Sequence, residues 1–179
     1  MANTTGKKIK DVAIIGGCAS LIYLTIGDIS YRLSLSRGGL NSKLITDMVA
    51  KSAAKKPKNE YKEKLDSMID DGADWFMHQD TEKIIIEKKH RQSLYADLIR
   101  PDKPSNVYII CIHGYTSSPA NMGIYAKKYH ELGYNVLLPS LRGHGDSEQD
   151  FITMGWNDRL DVIEWIYSIA ERHPGSKII

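Results

Sequence analysis

Six consecutive residues, Val107-Tyr-Ile-Ile-Cys-Ile112, are apolar or aromatic without alternation, and they run straight into His113-Gly114-Tyr115-Thr116. An unbroken apolar run of this kind reads as a strand buried on both faces, the pattern of a parallel sheet covered by helices. Folds of that type carry their chemistry outside the carboxyl ends of the strands, where a tight Gly turn exposes backbone. A second run, Tyr134 to Leu138, opens into Pro139-Ser-Leu-Arg-Gly-His-Gly-Asp-Ser147. A third, Ser176-Lys-Ile-Ile179, closes the sequence. A strand begun at that point predicts that the 179 residues are the front part of a longer domain, poorly stable alone because its last strand is short and the sheet edge beyond it open.

The segments around these runs alternate. Lys83-Ile-Ile-Ile-Glu-Lys-Lys89 and Ser93-Leu-Tyr-Ala-Asp-Leu-Ile-Arg100, joined by His90-Arg-Gln92, predict an antiparallel hairpin. Pro101-Asp-Lys-Pro-Ser105 is turn-rich and leads into the strand at Val107. A helix is expected over about Pro119 to Leu132, with Met122, Tyr125, Tyr129 and Leu132 along one face and Gly133 as its stop. Another is expected over about Asp158 to Arg172, burying Leu160, Ile163, Tyr167 and Ala170, with Asn157 as N-cap and Pro174-Gly175 ending it. Residues 38 to 80 read as helical. Tyr61, Leu65, Met68 and Ile69 form an apolar face, and Gly72 interrupts the pattern before Trp75 and Phe76. The sum is an α/β fold with a mostly parallel sheet and an antiparallel start.

Composition sets limits. Hydrophobic residues make up 42% of the chain and charged residues 26%, as in a soluble globular protein. A net charge of +2 does not argue for nucleic acid. Lys51, Lys55, Lys56, Lys58, Lys62 and Lys64 crowd one segment but interleave with Glu60, Glu63 and Asp66, which reads as a solvated helix with i,i+4 pairs rather than a lipid-binding patch. Cys18 and Cys111 both read as small hydrophobes, and no Cys/His spacing resembles a metal site.

Near the N-terminus, Lys7, Lys8 and Lys10 precede Val12 to Ile26, a run without charge. Basic residues before an apolar stretch predict a signal anchor, and no Ala-x-Ala cleavage site follows. The expectation is a single-pass membrane segment within residues 1–36, a helical connector over 37–80, and a catalytic domain from 81 on, outside the cytoplasm. Arg32, Arg37 and Lys43 follow the run closely, so the charge bias sets orientation only weakly.

Two loops hold the chemistry-bearing residues. At His113-Gly114-Tyr115-Thr116, glycine permits a close approach of backbone, and the Tyr115 amide can then serve as an oxyanion donor. One such donor stabilises an acyl-transfer transition state by roughly 3 to 4 kcal/mol. A plain Gly turn is the alternative, and His113 reads as a packed structural residue rather than a general base. The second loop, Arg142-Gly143-His144-Gly145-Asp146-Ser147, lacks both G-x-G-x-x-G and a P-loop lysine. It reads as structural, with Arg142 and Asp146 fixing a tight loop through charge-assisted hydrogen bonds and His144 near the pocket.

A strand ending in His-Gly-Tyr-Thr, followed by Arg-Gly-His-Gly-Asp-Ser, resembles the α/β-hydrolase superfamily, and within it serine hydrolases of the serine-aminopeptidase/monoglyceride-lipase type, including membrane-anchored bacterial members. Phe151-Ile-Thr-Met-Gly-Trp-Asn-Asp-Arg-Leu-Asp161 is similar to the helix those proteins carry before the nucleophile strand. The resemblance covers about residues 80 to 179. It implies an incomplete α/β-hydrolase sheet, an oxyanion donor at the Tyr115 backbone, and contacts to a small-molecule or peptide substrate around His113, Gly114 and Thr116. It implies no metal and no organic cofactor. Its nucleophile would lie on a Gly-x-Ser-x-Gly elbow, followed by Asp or Glu and then His. No Gly-x-Ser-x-Gly occurs in this sequence, so nucleophile, acid and base are all expected beyond Ile179. Ser117, Ser118 and Ser147 are assigned no such role. Two alternatives remain open: a catalytically inactive binding module on the same fold, and an aspartate nucleophile in a dehalogenase-like site.

Overall fold

The computed structural model describes residues 2–40, 43–54, 59–90 and 92–179. The side chains of Lys7, Lys8, Lys10 and Cys18, and residues Lys55, Lys56 and Lys58, lie outside the described residues. Four helices come first: α1 (Ala2–Leu35), α2 (Arg37–Leu40), α3 (Lys43–Ala54) and α4 (Glu60–Met77). There follow β1 (Thr81–Ile86), β2 (Leu94–Ile99), β3 (Val107–Ile110), a 3-10 turn (Ala120–Met122), α5 (Gly123–Glu131), β4 (Asn135–Ser140), α6 (Asp158–Arg172) and β5 (Lys177–Ile178).

The five strands form one mixed sheet in the order β1-β2-β4-β3-β5. The expected hairpin pairs Thr81 with Ile99 and Ile86 with Leu94. Strand β2 is antiparallel to β4, while β3 is parallel to both β4 and β5. The Cys111 amide extends the β3–β4 ladder by donating to the Leu137 carbonyl at 2.8 Å. All six residues of β4 are buried, as a strand flanked on both edges and covered on both faces must be.

Each face of the sheet carries its own core. On one, Ile99, Ile109, Cys111, Val136 and Leu138 pack with Phe76 of α4 and Ala126 of α5. On the other, Leu94, Ala96, Leu98, Tyr108 and Leu137 pack with Trp165 and Ile169 of α6. Burial pushes the Cys111 thiol up to about 11, so it is a neutral core side chain at neutral pH.

Three helix faces differ from the periodicity reading. In α5 the buried residues are Gly123 and Ala126; of the expected face Met122 and Tyr129 pack against the core, whereas Tyr125 and Leu132 are exposed. In α6 they are Asp158, Asp161, Trp165 and Ile169, whereas Leu160, Ile163, Tyr167 and Ala170 point away from the core. In α4, Tyr61, Leu65 and Met68 are exposed, and the buried residues are Gly72 and Phe76. The cause in the first and third cases is one contact. α4 and α5 cross at Gly72 and Gly123, so closely that a Cβ on either glycine would overlap backbone of the other helix. Small residues therefore make the crossing itself, while Phe76, Trp75, Met122 and Tyr129 pack into the core beside it. Asn157 makes no side-chain cap and has helical backbone angles. Gly133 does end α5, at φ 80°, with the Tyr134 amide reaching back to the Tyr129 carbonyl.

Along α1, Leu21, Ile22, Tyr23, Leu24 and Ile26 are exposed, and Asp28 pairs with Arg32 at 2.8 Å one turn on. Among the described residues no helix is long and apolar enough to cross a membrane.

The Gly72–Gly123 crossing generates a test. Gly72→Ala or Gly123→Ala should destabilise the protein by about 2 kcal/mol, because overpacked backbone cannot yield as a side chain can. Chemical denaturation measures it. A gain in stability, as expected for alanine in an unconstrained helix, would disprove the close approach.

Candidate active site

The carboxyl ends of β3 and β4 lie side by side, so the two Gly-containing loops emerge as neighbours. Each loop contributes a buried histidine, and the two residues exchange backbone partners. The His113 ring, 2% exposed, donates from Nδ1 to the Gly114 carbonyl (3.0 Å) and accepts at Nε2 from the Leu141 amide (3.2 Å). His144 donates from Nδ1 to the Arg142 carbonyl (2.9 Å) and accepts at Nε2 from the Thr116 amide (3.2 Å). The rings meet edge to face with centroids 4.9 Å apart. Only neutral imidazole can accept at Nε2, so these bonds fix the tautomer of both rings. Burial lowers the pKa of His113. The Gly114 carbonyl opposes that shift, His144 adds to it, and Asp158 opposes it.

Thr116 sits at φ 56°, a costly conformation for a β-branched residue. The left-handed residue of this turn is thus Thr116, and the close backbone approach expected at Gly114 is not found among the described residues. A Cβ on Gly114 would meet nothing within 4 Å among the described residues, so the missing side chain leaves open space. The Tyr115 amide finds no acceptor among the described residues. Tyr115, His113 and Gly114 line a cavity of about 370 Å³ together with His144, Leu141 and Met154.

The second loop is rigid by construction. Gly143 (φ 74°) and Gly145 (φ 49°) are both left-handed, and a Cβ on Gly143 would strike Ile152 while one on Gly145 would strike Ser140. Arg142 and Asp146 do make charge-assisted bonds, but both reach outside the loop. Arg142 forms a two-pronged pair with Asp161 of α6, Nε to Oδ2 at 2.7 Å and Nη2 to Oδ1 at 2.8 Å. Asp146 pairs with Lys83 of β1 at 2.6 Å. The Asp161 hydrogen bond raises the Arg142 pKa against the opposing effect of burial. Asp158, at the first turn of α6, accepts from the amides of Arg142 and Gly155 and from the Thr153 hydroxyl.

Asp158 and Asp161 are the structural residues that sequence reading missed. Their i,i+3 spacing on the buried face was the available signal, hidden because buried carboxylates are uncommon without partners. Ser147, 2% exposed, spends its hydroxyl on Gly143 and Gln149. Among the described residues no cluster of His, Cys, Asp or Glu could hold a metal ion.

The sheet order, its antiparallel start and the two loops define an α/β fold with a mixed sheet whose site lies at the strand ends. No family model matches the chain. A stretch of 65 residues, 36% of this chain, is 34% identical to a thermostable monoacylglycerol lipase of Bacillus sp. (strain H-257), of which it covers 24%. An esterase of Pyrococcus furiosus superposes with a TM-score of 0.50 at 25% identity, over 57% of this chain and 40% of that one. A second crystal form of that esterase gives a TM-score of 0.47 at 24% identity, over 57% and 41% of the two chains. The chain thus spans about a quarter of the curated relative and two fifths of the esterase. Over that part it resembles the serine hydrolases of the α/β-hydrolase superfamily in both fold and sequence.

Two outcomes follow from the geometry. Removing one partner of a buried, bidentate ion pair strands the other, so Asp161→Ala should cost about 3 kcal/mol in denaturant titrations. A loss under about 1 kcal/mol would place the pair in the weak surface class. His113 has its folded pKa below the ordinary 6.5, so the unfolded chain binds the proton first. Its contribution to stability is whole above pH 6.5 and is lost as pH falls from there towards the folded value. Urea midpoints between about pH 5 and about pH 7.5 should show this slope, diminished in His113→Asn; an equal slope in the variant would contradict it.

Proposed function

We propose that this chain is the leading part of a serine hydrolase that cleaves an ester, thioester or amide bond, with the Tyr115 backbone N–H as one oxyanion donor. The observation that carries this reading is an amide without an acceptor among the described residues, on a residue lining a cavity at the carboxyl ends of two parallel strands. A donor left unpaired beside a hollow is poised for charge that develops only during reaction, because its cost is already met in the folded state. The lipase and esterase relatives favour an ester of a small molecule among the substrates. His113 and Thr116 hold the turn, and Gly114 leaves room beside it for the reacting carbonyl.

On this reading the nucleophile, acid and base lie outside the 179 residues, since the sequence holds no Gly-x-Ser-x-Gly. The reaction would run through an acyl-enzyme, with histidine activating the water that resolves it. Residues 1–36 would anchor the protein in a membrane as a single pass, with the domain from residue 81 outside the cytoplasm. The charge-free stretch Val12 to Ile26 and the exposed apolar side chains from Leu21 to Ile26 support the anchor. The missing elbow motif also supports a second reading, an inactive binding module on the same fold.

The protein made from its complete reading frame should hydrolyse p-nitrophenyl acetate and take a fluorophosphonate label on serine, while the 179-residue chain does neither. Turnover by that chain, freed of contaminating esterase, would overturn the assignment. A complete protein that takes no label would favour the binding module. Alkali-washed membranes should retain the complete protein, and its release would remove the anchor.

A further inference from the structure

The C-terminal end of α1 lies across the rim of the site. The Tyr115 hydroxyl donates to the Ser34 carbonyl at 2.6 Å. Tyr31 stacks on Phe151 with centroids 5.5 Å apart. Ser36 and Phe151 form an isolated antiparallel bridge, in which the Ile152 amide donates to the Leu35 carbonyl (2.8 Å) and the Arg37 amide to the Asp150 carbonyl (2.9 Å). The Arg37 guanidinium then reaches into the second loop, donating through Nη2 to the carbonyls of Ser147 and, at 3.4 Å, His144.

We infer that the strap from Tyr31 to Arg37 is a positioning element of the oxyanion turn, with Arg37 as its positioning residue. Its catalytic consequence rests on the hydrolase reading given above. Two routes join strap and turn. The direct one tethers the ring of Tyr115, the residue whose amide is the donor. The indirect one runs from Arg37 to the backbone of His144 and Ser147, then from the His144 ring to the Thr116 amide. Thr116 holds a left-handed conformation that its own side chain disfavours, and the bond to His144 is the one its amide makes. Let His144 drift and Thr116 relaxes, carrying the Tyr115 amide with it.

The contacts suit positioning better than bulk stabilisation. Apart from one aromatic stack they are individual hydrogen bonds, the Arg37 ones part-buried and the Tyr115 one exposed, with no hydrophobic cluster behind them among the described residues. Arg37 Nε is buried without an acceptor among the described residues, a desolvation cost that sets part of the guanidinium's gain aside.

The test uses Arg37→Ala, Arg37→Lys and Tyr115→Phe, with two readouts. Amide hydrogen exchange on the protein from the complete reading frame should show Thr116 exchanging roughly tenfold faster in Arg37→Ala while Ile109 and Leu137 keep their protection, a local opening. Lysine, which keeps the charge but not the planar fork, should restore that protection only in part. In the protein from the complete reading frame, Arg37→Ala and Tyr115→Phe should each lower kcat roughly tenfold to a hundredfold with KM within about twofold, as displacement of a transition-state donor does. Unchanged Thr116 exchange in Arg37→Ala overturns the inference, and so does protection lost equally across β3 and β4, which marks a merely structural role. Tyr115→Phe removes one hydroxyl and keeps the test open should Arg37→Ala fail to fold. A wild-type protein without turnover sinks the hydrolase reading alone, and the exchange result still decides the strap.

Discussion

The site depends on an exchange of two hydrogen bonds. His113, on the loop after β3, accepts an amide from the loop after β4, and His144, on the loop after β4, accepts one from the loop after β3. Each ring also donates to a carbonyl of its own loop. Neither loop can then shift without costing the other a buried bond, and an amide deprived of its acceptor in a dry place costs about 1 to 3 kcal/mol. The arrangement asks for neutral imidazole, which is what burial enforces at His113. Both histidines are thus occupied as braces, as the sequence suggested for His113, and the Tyr115 amide beside the cavity has no acceptor among the described residues.

Around that exchange the charges are arranged to hold the second loop to its neighbours. Arg142 is anchored on α6 through Asp161, Asp146 on β1 through Lys83, and Asp158 gathers three donors at the start of α6. The first turn of α6 is therefore bound to the loop before it by carboxylates, which explains why a helix preceding a short edge strand has acidic residues on its buried side. Lys88, from the loop after β1, approaches the same Asp161 at 3.6 Å and Glu164 at 2.6 Å, so the hairpin end joins the same network.

The sequence made the sheet legible and the helix faces less so. An uninterrupted apolar run such as Val107 to Ile112 has one interpretation, since a strand buried on both faces leaves no polar position to mislead. Helix faces were only partly legible, because at key contacts bulk is not the signal. At the α4–α5 crossing the contact is made by Gly72 and Gly123, where absence of a side chain is the message, and Gly72 reads in sequence as an interruption. On α6 the inward face opens with two aspartates, and the outward one shows Leu160, Ile163 and Tyr167. Of the site, the loops and the Tyr115 amide could be located from the glycines and the strand ends. Partners far apart in sequence, Arg142 with Asp161 or His113 with Leu141, could not, because nothing local encodes them.

The N-terminal segment is where these constraints meet. On the proposed anchor reading, residues 1–36 would be a tether, whose task ends once the rest of the chain is held at a surface. A tether needs no specific contact with a catalytic loop, and a flexible link after it would serve as well. Instead the last turn of α1 bonds to the very residue that offers the free amide, and Arg37 bonds to the backbone of the loop that braces it. Backbone carbonyls are the acceptors in each case, so the contacts read position rather than side-chain identity. A helix fixed to a site in this way transmits its own placement to the geometry of the donor, and movements of the helix relative to the sheet would be felt at Tyr115 before they were felt in either core.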